Sequence, residues 1–579
     1  MSSHHELRVD TSADAASFRA WMRDAGVLLN GVDIGCSSDG SASVDTSSYR
    51  GVVALRDLDC GEVIVELPTD AVIAHSARMG GGGAMTPSLK AWMRNSMRMR
   101  LPRIRREMLV REMALRLIST PRAGLQYIDS YLLNESNVSR LVCGHPVFWS
   151  TAERDAMLSG TSVNVMMSSC SGVHETPSLA SAACRKRFVR AVMKALKKPK
   201  RNRSSSARFE KGKGVDDAHN DHDDDGDDND EREAIHRRCG ASRRARPAVC
   251  RAVAQIRGED VGDKIDDAFV KDVYDLATGL VAAYSFSLGE RGRHQCMCPF
   301  FDVLNHEHED QCHVVLRHIS SRDVLQMVMR RPCRRGDECF NCYGKLSPAE
   351  LLWRYGFVPS HQRRRQKDDA VFLDMSHLLT RPGDASGVQM NAARDSINGA
   401  LTVDRAIARR LGHIRRYANA IEESDLIFHV GWLGVPSASL LETVRILTTT
   451  KCTSVSEGKR ARDDDDKMPS DGDVHRVLAT IESAARRRLV DVRGTLARLQ
   501  TASASETTTQ HKQRASTDGN GCMMDDYSDA LSNFERRTLA MNVALVEVEV
   551  LESLVAYCVR GVASTDRFHL AYVSRRAKR

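Results

Sequence analysis

Two short phrases carry residue types able to grip a polar small molecule beside an aromatic ring: Asp302-Val-Leu-Asn305-His306 and Asn341-Cys-Tyr343-Gly344. An asparagine amide both donates and accepts, a histidine adds ring nitrogens, and a tyrosine presents a hydroxyl on an apolar body. Singly, each phrase describes an ordinary turn. The text between them gives the pair its interest. Val314-Val-Leu-Arg317, Leu325-Gln-Met-Val-Met329 and Arg335-Gly-Asp-Glu-Cys-Phe340 are short apolar or alternating runs that predict small strands. The period then changes. Ser347-Pro-Ala-Glu-Leu-Leu-Trp-Arg-Tyr355 has a capping serine, a proline at the first helical position and Gly356 as its stop, which predicts a short helix.

In order and spacing, Pro299–His306, Gly336–Gly344 and Leu351–Val358 resemble the SET-domain protein methyltransferases of the Rubisco large-subunit methyltransferase class. That family reads roughly Pro-x-x-Asp-x-Leu-Asn-His, Gly-x-Glu-x-Phe-x-x-Tyr-Gly and Leu-Leu-x-x-Tyr-Gly-Phe-Val. The resemblance is densest over about residues 265–360, thinner over 15–160 and faint beyond 425. Ala283-Tyr284-Ser285-Phe286, where many members have Ser-Arg-x-Phe, is similar to the branch holding SET domain-containing protein six and the fungal ribosomal-protein lysine methyltransferases.

The resemblance implies an α+β fold: a SET domain of small β-sheets with an inserted helical region, then an all-α C-terminal substrate-binding lobe. It implies a protein-lysine N-methyltransferase that uses S-adenosylmethionine and acts on a lysine of a protein partner. It assigns catalysis to Tyr343 and cofactor binding to Gly51, Asn305, His306, Tyr343, Tyr355 and Tyr284, with Asp302 as a structural support for the Asn-His loop. The family usually has Gly-x-Gly where this chain has Tyr49-x-Gly51, a departure at the strand expected to lie along the cofactor. Two other readings stay open: a histidine acceptor on the same fold, and an inactive SET-fold binding protein. Retention of Asn305, His306 and Tyr343 argues against the second.

The chemistry suits such a site. A lysine amine with a pKa of about 10.4 in water is protonated and unreactive. An apolar channel and a facing cation both favour the neutral amine, and polar groups then align it with the methyl donor. No metal is needed. Cys296, Cys298, His306, His308, Cys312 and His313, with Cys339 and Cys342 nearby, could offer four zinc ligands; the rival reading makes the first two strand residues and leaves the rest in a loop.

The remaining text sets the frame. Ser17–Gly26 predicts a helix with Phe18, Trp21 and Met22 on one side and Gly26 as its end. Tyr49–Leu55 and Glu62–Pro68 predict two strands about the turn Asp57–Gly61, the hairpin that opens a SET domain. Residues from 85 to about 160 read as helical, with Tyr127-Ile-Asp-Ser-Tyr131 and Pro146-Val-Phe-Trp-Ser150 as scaffold phrases. Phe269, Val273, Leu276, Leu280 and Tyr284 predict a buried helix. The expected divisions are 15–190 and 265–360 for the two SET halves, 197–262 for a disordered charged insert, and 368–579 for the helical lobe, which Phe428–Leu447 begins. Disordered stretches are expected near 453–472 and 501–524 within that lobe.

At 579 residues the chain is too long for one core. No apolar run reaches the length of a membrane span, and Met1–Glu6 lacks the layout of an export signal. The 16 cysteines follow no framework, so reduced thiols are expected. Basic clusters at Lys194–Arg203, Arg363–Lys367, Lys459–Arg462 and Arg575–Arg579 point to the nucleus, the cytoplasm being the other expectation. No membrane contact or direct nucleic-acid binding is expected.

Overall fold

The computed structural model describes residues 7–37, 50–74, 102–119, 127–168, 182–196, 252–253, 256, 265–288, 294–358, 367–374, 427–437, 440–441, 444, 471–514 and 524–563. Strand β1 (Leu7–Val9) leads into helix α1 (Ala13–Asp24), then β2 (Leu28–Leu29), β3 (Val32–Ser37), β4 (Arg50–Ala54), β5 (Val63–Pro68) and β6 (Ile73–Ala74). Helices follow: α2 (Pro102–Ser119), α3 (Glu135–Gly144), α4 (Thr151–Met157), α5 (Ser162–Ser168), α6 (Ala182–Leu196) and α7 (Asp267–Tyr284). Next come β7 (Ser285–Leu288), β8 (His294–Met297), β9 (Val314–Ile319), β10 (Val324–Met329), β11 (Glu338–Cys339) and α8 (Pro348–Tyr355). The last elements are β12 (Ala370–Asp374), β13 (Ile427–Gly431), α9 (Asp471–Arg514) and α10 (Met524–Ala563).

Local chemistry explains several of these boundaries. Ser347 and Glu350 form a reciprocal capping box at the start of α8, Pro348 occupies its first turn, and Gly356 closes it in the left-handed region (φ 79°). Asp266 caps α7 by accepting from the Phe269 N–H at 2.7 Å, and the helix buries Phe269, Val273, Leu276 and Leu280. Helix α1 begins before the expected Ser17, because Ser12 serves as its N-cap; Phe18 and Met22 are buried as expected.

The described strands make four antiparallel sheets, ordered β1-β3-β4-β11, β2-β5-β10-β9, β6-β8-β7 and β12-β13. The expected hairpin of β4 and β5 does not form. Cys339 pairs with Val52, while Met327 pairs with Val65, so the two strands diverge into different sheets after the Asp57–Gly61 turn. A bridge between Leu58 and Cys333 holds the turn at the point of divergence. The partners are some 260–290 residues distant in the chain, and that pairing outweighs the local turn signal.

The main core joins α1, α2 and α7 to the inner faces of the first three of these sheets. A second core lies within the C-terminal lobe, where α9 and α10 pack along one another and against β12 and β13. A third cluster seams the two, with Trp149, Met157, Leu352, Trp353, Phe372, Leu499 and Val543 in mutual contact. The Arg488 guanidinium and Glu547 carboxylate, one on each lobe helix, lie at the same seam, both buried, 3.3 Å apart. Glu547 also accepts from the Ser162 N–H at 2.7 Å, and the Ser162 hydroxyl accepts from Phe372 N at 2.9 Å. These bonds tie α5, β12, α9 and α10 together.

Three expectations about the lobe and inserts need correction. The lobe is not all-α: Ile427-Phe-His-Val-Gly431 pairs as β13 with Ala370–Asp374, so Phe428 lies in a strand, not at the head of a helix. Helix α9 runs on to Arg514, through most of the stretch expected to be disordered near 501–524. Ala252, Val253 and Ile256, inside the charged insert expected over 197–262, are helical and buried in the main core. The other residues of that insert lie outside the described ones up to Lys264, as do 453–470, Tyr49 and nearly all of the four basic clusters. Among the described residues, no helix is long and apolar enough to cross a membrane.

Candidate functional site

The site forms where two loops distant in sequence lie side by side. The chain leaves β8 through Phe300, whose φ of 70° is rare for a residue with a side chain, and makes a 3-10 turn over Phe301–Val303. It then runs as Leu304-Asn305-His306-Glu307 beside Asn341-Cys342-Tyr343. His306 and Asn341 form a parallel bridge; Asn341 N donates to Asn305 O and Glu307 N to Asn341 O, each at 2.8 Å. Both phrases singled out in the sequence thus share one ladder.

The side chains converge around it. The Tyr343 hydroxyl donates to the Leu304 carbonyl at 2.8 Å, and Tyr343 N donates to His306 Nδ1 at 3.1 Å. The His306 and Tyr343 rings lie 5.1 Å apart. Tyr355, at the end of α8, packs on Tyr343 at 4.8 Å, and Phe357 meets it edge-on at 6.2 Å. These four rings are half-buried, so their cluster is open on one side. Such a wall excludes water while leaving an entry.

Asn305 points toward β4. Its Nδ2 donates to the Arg50 carbonyl at 2.6 Å and to Glu338 Oε1 at 2.7 Å. A Cβ on Gly51 would meet Glu338 Oε1 at 2.3 Å and Asn305 Nδ2 at 3.0 Å. Position 51 must therefore lack a side chain, which leaves bare backbone, a carboxylate and an amide together. Glu338 was legible only as part of the Gly336–Gly344 phrase, with no role; its place on β11 opposite Val53 gives it one.

Behind this layer lies a buried tyrosine cluster. Tyr127 donates through its hydroxyl to Asp302 Oδ2, and the Tyr131 hydroxyl donates to Asp302 O at 3.2 Å. Burial pushes the Asp302 carboxyl up to about 8, the Tyr127 hydrogen bond opposing the shift. Burial likewise raises Tyr127 and Tyr131 well above the ordinary phenol range, with Asp302 adding to both. Tyr284 meets Tyr131 edge-on at 6.3 Å, and burial pushes its phenol up to about 12. Tyr284 thus joins this buried cluster through Tyr131. Asp302 lies in the turn that leads into the Asn-His loop, its carboxylate held by Tyr127. That Tyr127 and Tyr131 hold it is new, since sequence reading made them mere scaffold.

The cysteines and histidines weighed as zinc ligands are distributed among other contacts. Cys296 and Cys298 face each other at 3.6 Å in the core, His313 stacks on Phe340, and His308 Nε2 lies 2.7 Å from Asp368. Among the described residues, no group of three or more His, Cys, Asp or Glu side chains is arranged to hold a metal ion.

Residues 49–344 match the sequence profile of the family described as the SET domain. N-lysine methyltransferase setd6 of Salmo salar is 23% identical over 222 residues, 37% of this chain and 44% of that protein. Ribosomal lysine N-methyltransferase 4 of Schizosaccharomyces pombe is 29% identical over 85 residues, 15% of this chain and 17% of that protein. The chain spans less than half the length of these curated relatives. Among solved structures, the SET domain of LSMT bound to MeLysine and AdoHcy aligns over 96% of this chain and 94% of its own, with TM-score 0.50 and 13% identity. At that identity the likeness is one of fold.

Proposed function

The chain belongs to the SET-domain family, and from that premise we propose that it is a protein-lysine N-methyltransferase using S-adenosylmethionine. The observation that carries this reading is the Tyr343 hydroxyl. It is tethered at 2.8 Å to the carbonyl next to Asn305 and enclosed by His306, Tyr355 and Phe357. That joins a polar cradle for a cofactor to an apolar wall for an amine.

The residues present fit the cofactor. Because Gly51 lacks a side chain, the Glu338 carboxylate and the Asn305 amide lie close against the β4 backbone; the carboxylate can accept from an ammonium, and the amide can turn between protein and ligand oxygens. When bound, S-adenosylmethionine supplies a methyl group on a cationic sulfonium. Asn305, Glu338 and the Gly51 backbone would hold its polar end, and the backbone of His306 would lie beside its base. Tyr355 and Phe357 keep water from an entering lysine and so favour the neutral amine. The Tyr343 hydroxyl orients that amine; fixed by Leu304, it costs no reorganisation when the amine attacks.

The names of the setd6 and ribosomal lysine methyltransferase relatives support lysine over histidine as acceptor. The partner is then a protein that presents a lysine. Incubation with radiolabelled S-adenosylmethionine and a cell extract, followed by mass spectrometry of the labelled protein, tests the reading. Methyllysine is the expected product. Methylhistidine would move the protein to the other acceptor class, and cofactor binding with no label transferred would make it a binding module.

A further inference from the structure

The aromatic wall rests on the C-terminal lobe through a chain of direct contacts. Tyr355 and Phe357 are separated only by Gly356. That glycine abuts the end of α3: a Cβ on Gly144 would lie 2.0 Å from Gly356 O, and one on Gly356 would lie 2.9 Å from His145 N. Neither backbone can carry a side chain there, so the position of the α3 terminus sets that of the turn between the two rings.

The α3 terminus is in turn held by one residue of α10. The Arg536 side chain is buried; its Nε donates to Cys143 O at 3.3 Å and its Nη2 to Val142 O at 3.2 Å. Its Nη1 pairs with Glu153 at the start of α4, and its guanidinium carbon lies 5.9 Å from the Trp149 ring centre. Trp149 Nε1 donates to the same Cys143 carbonyl at 2.7 Å. The last carbonyls of a helix lack partners within it and carry the negative end of its dipole, so a forked cation is well matched to them.

We propose that Arg536 is a positioning residue for the active site: from the C-terminal lobe it fixes the end of α3 as the seat of Gly356, and thereby the spacing of Tyr355 and Phe357 from Tyr343. The lobe then acts on the site through the wall beside Tyr343. The catalytic half of this statement rests on the methyltransferase reading; the mechanical half does not.

The test uses the full chain with Arg536→Met, Arg536→Lys and Gly144→Ala, and reads amide hydrogen exchange before activity. In Arg536→Met, exchange over residues 355–358 is expected to rise about tenfold or more without cofactor, as a local opening does. Gly144→Ala should reproduce this with Arg536 intact. With methyl transfer as readout, kcat should fall about tenfold or more while the cofactor Kd stays within about twofold, as for misaligned reacting groups. Arg536→Lys, which keeps the charge but not the fork, should lie between. Exchange that rises only over residues 142–153 overturns the proposal, making Arg536 a local stitch. So does a change in KM or cofactor Kd with kcat untouched. If the wild-type chain transfers no methyl at all, the methyltransferase reading fails while the exchange result still decides the mechanical claim. Should Arg536→Met not fold, the lysine and alanine variants decide it.

Discussion

His145 gives a quantitative test of how the site is supported, because a fully buried imidazole behind Gly356 must answer to pH. Its Nδ1 accepts from Val147 N at 3.2 Å, which leaves the proton of the neutral ring on Nε2. Burial pushes the ring down to about 4; the Arg354 carbonyl opposes the shift, and the Arg106 charge adds to it. The folded pKa is depressed below an unfolded value of about 6.5. The contribution is therefore fully present above about pH 6.5 and is lost as pH falls toward 4, where only the unfolded chain takes the proton. Between pH 7 and pH 5 that amounts to about 2 kcal/mol. His145→Asn keeps an acceptor for the Val147 N–H but removes the titrating group, at a cost of about 1–2 kcal/mol in packing. In denaturant unfolding followed by tryptophan fluorescence, the wild type should lead the variant at pH 7, and the gap should close or reverse by pH 5. A gap that is the same at both pH values within about 0.5 kcal/mol would refute the claim that this ring is buried and neutral.

Two other perturbations have stated outcomes. Gly51→Ala forces the Glu338 carboxylate and Asn305 amide from their places, since its Cβ would fall 2.3 Å from Glu338 Oε1. Overpacking of that kind costs about 1–3 kcal/mol, so calorimetry should find S-adenosylmethionine bound about ten- to a hundredfold more weakly. Glu547→Gln strands the buried Arg488 charge and should lower stability by about 3–5 kcal/mol in thermal unfolding. Burial raises the Glu547 carboxyl despite Arg488 and Ser162, so desolvation offsets much of the pairing. Replacing both residues together with Arg488→Met and Glu547→Leu should therefore cost far less than the single change.

Much of the site was legible because its parts are local phrases. The α8 cap, the Tyr-Gly turn and the Asn-His loop each declare themselves within ten residues, and the SET text fixes their order. What escaped the sequence is pairing across long separations. Nothing near Glu338 announces that it meets Asn305, or that Asp302 is held by Tyr127, which lies 175 positions away. The divergence of β4 and β5 and the β12–β13 pair were lost for the same reason. Nothing in the text around Arg536 sets it apart from other basic residues of the lobe; only the fold reveals which helix terminus it reaches. Tyr49, the departure from the family glycine, lies outside the described residues.

The central claim is that Tyr343 aligns an amine for methyl transfer and is not needed to hold the fold. Its most direct test compares the wild type with Tyr343→Phe in two readings on one preparation: cofactor affinity by calorimetry, and initial rate of methyl transfer to a labelled protein acceptor. The ring and its packing on Tyr355 and His306 survive the change, and only the hydroxyl at Leu304 is lost. The account predicts a cofactor Kd within a few-fold of wild type and a rate lower by about a hundredfold or more. A variant that transfers methyl groups at the wild-type rate would contradict it.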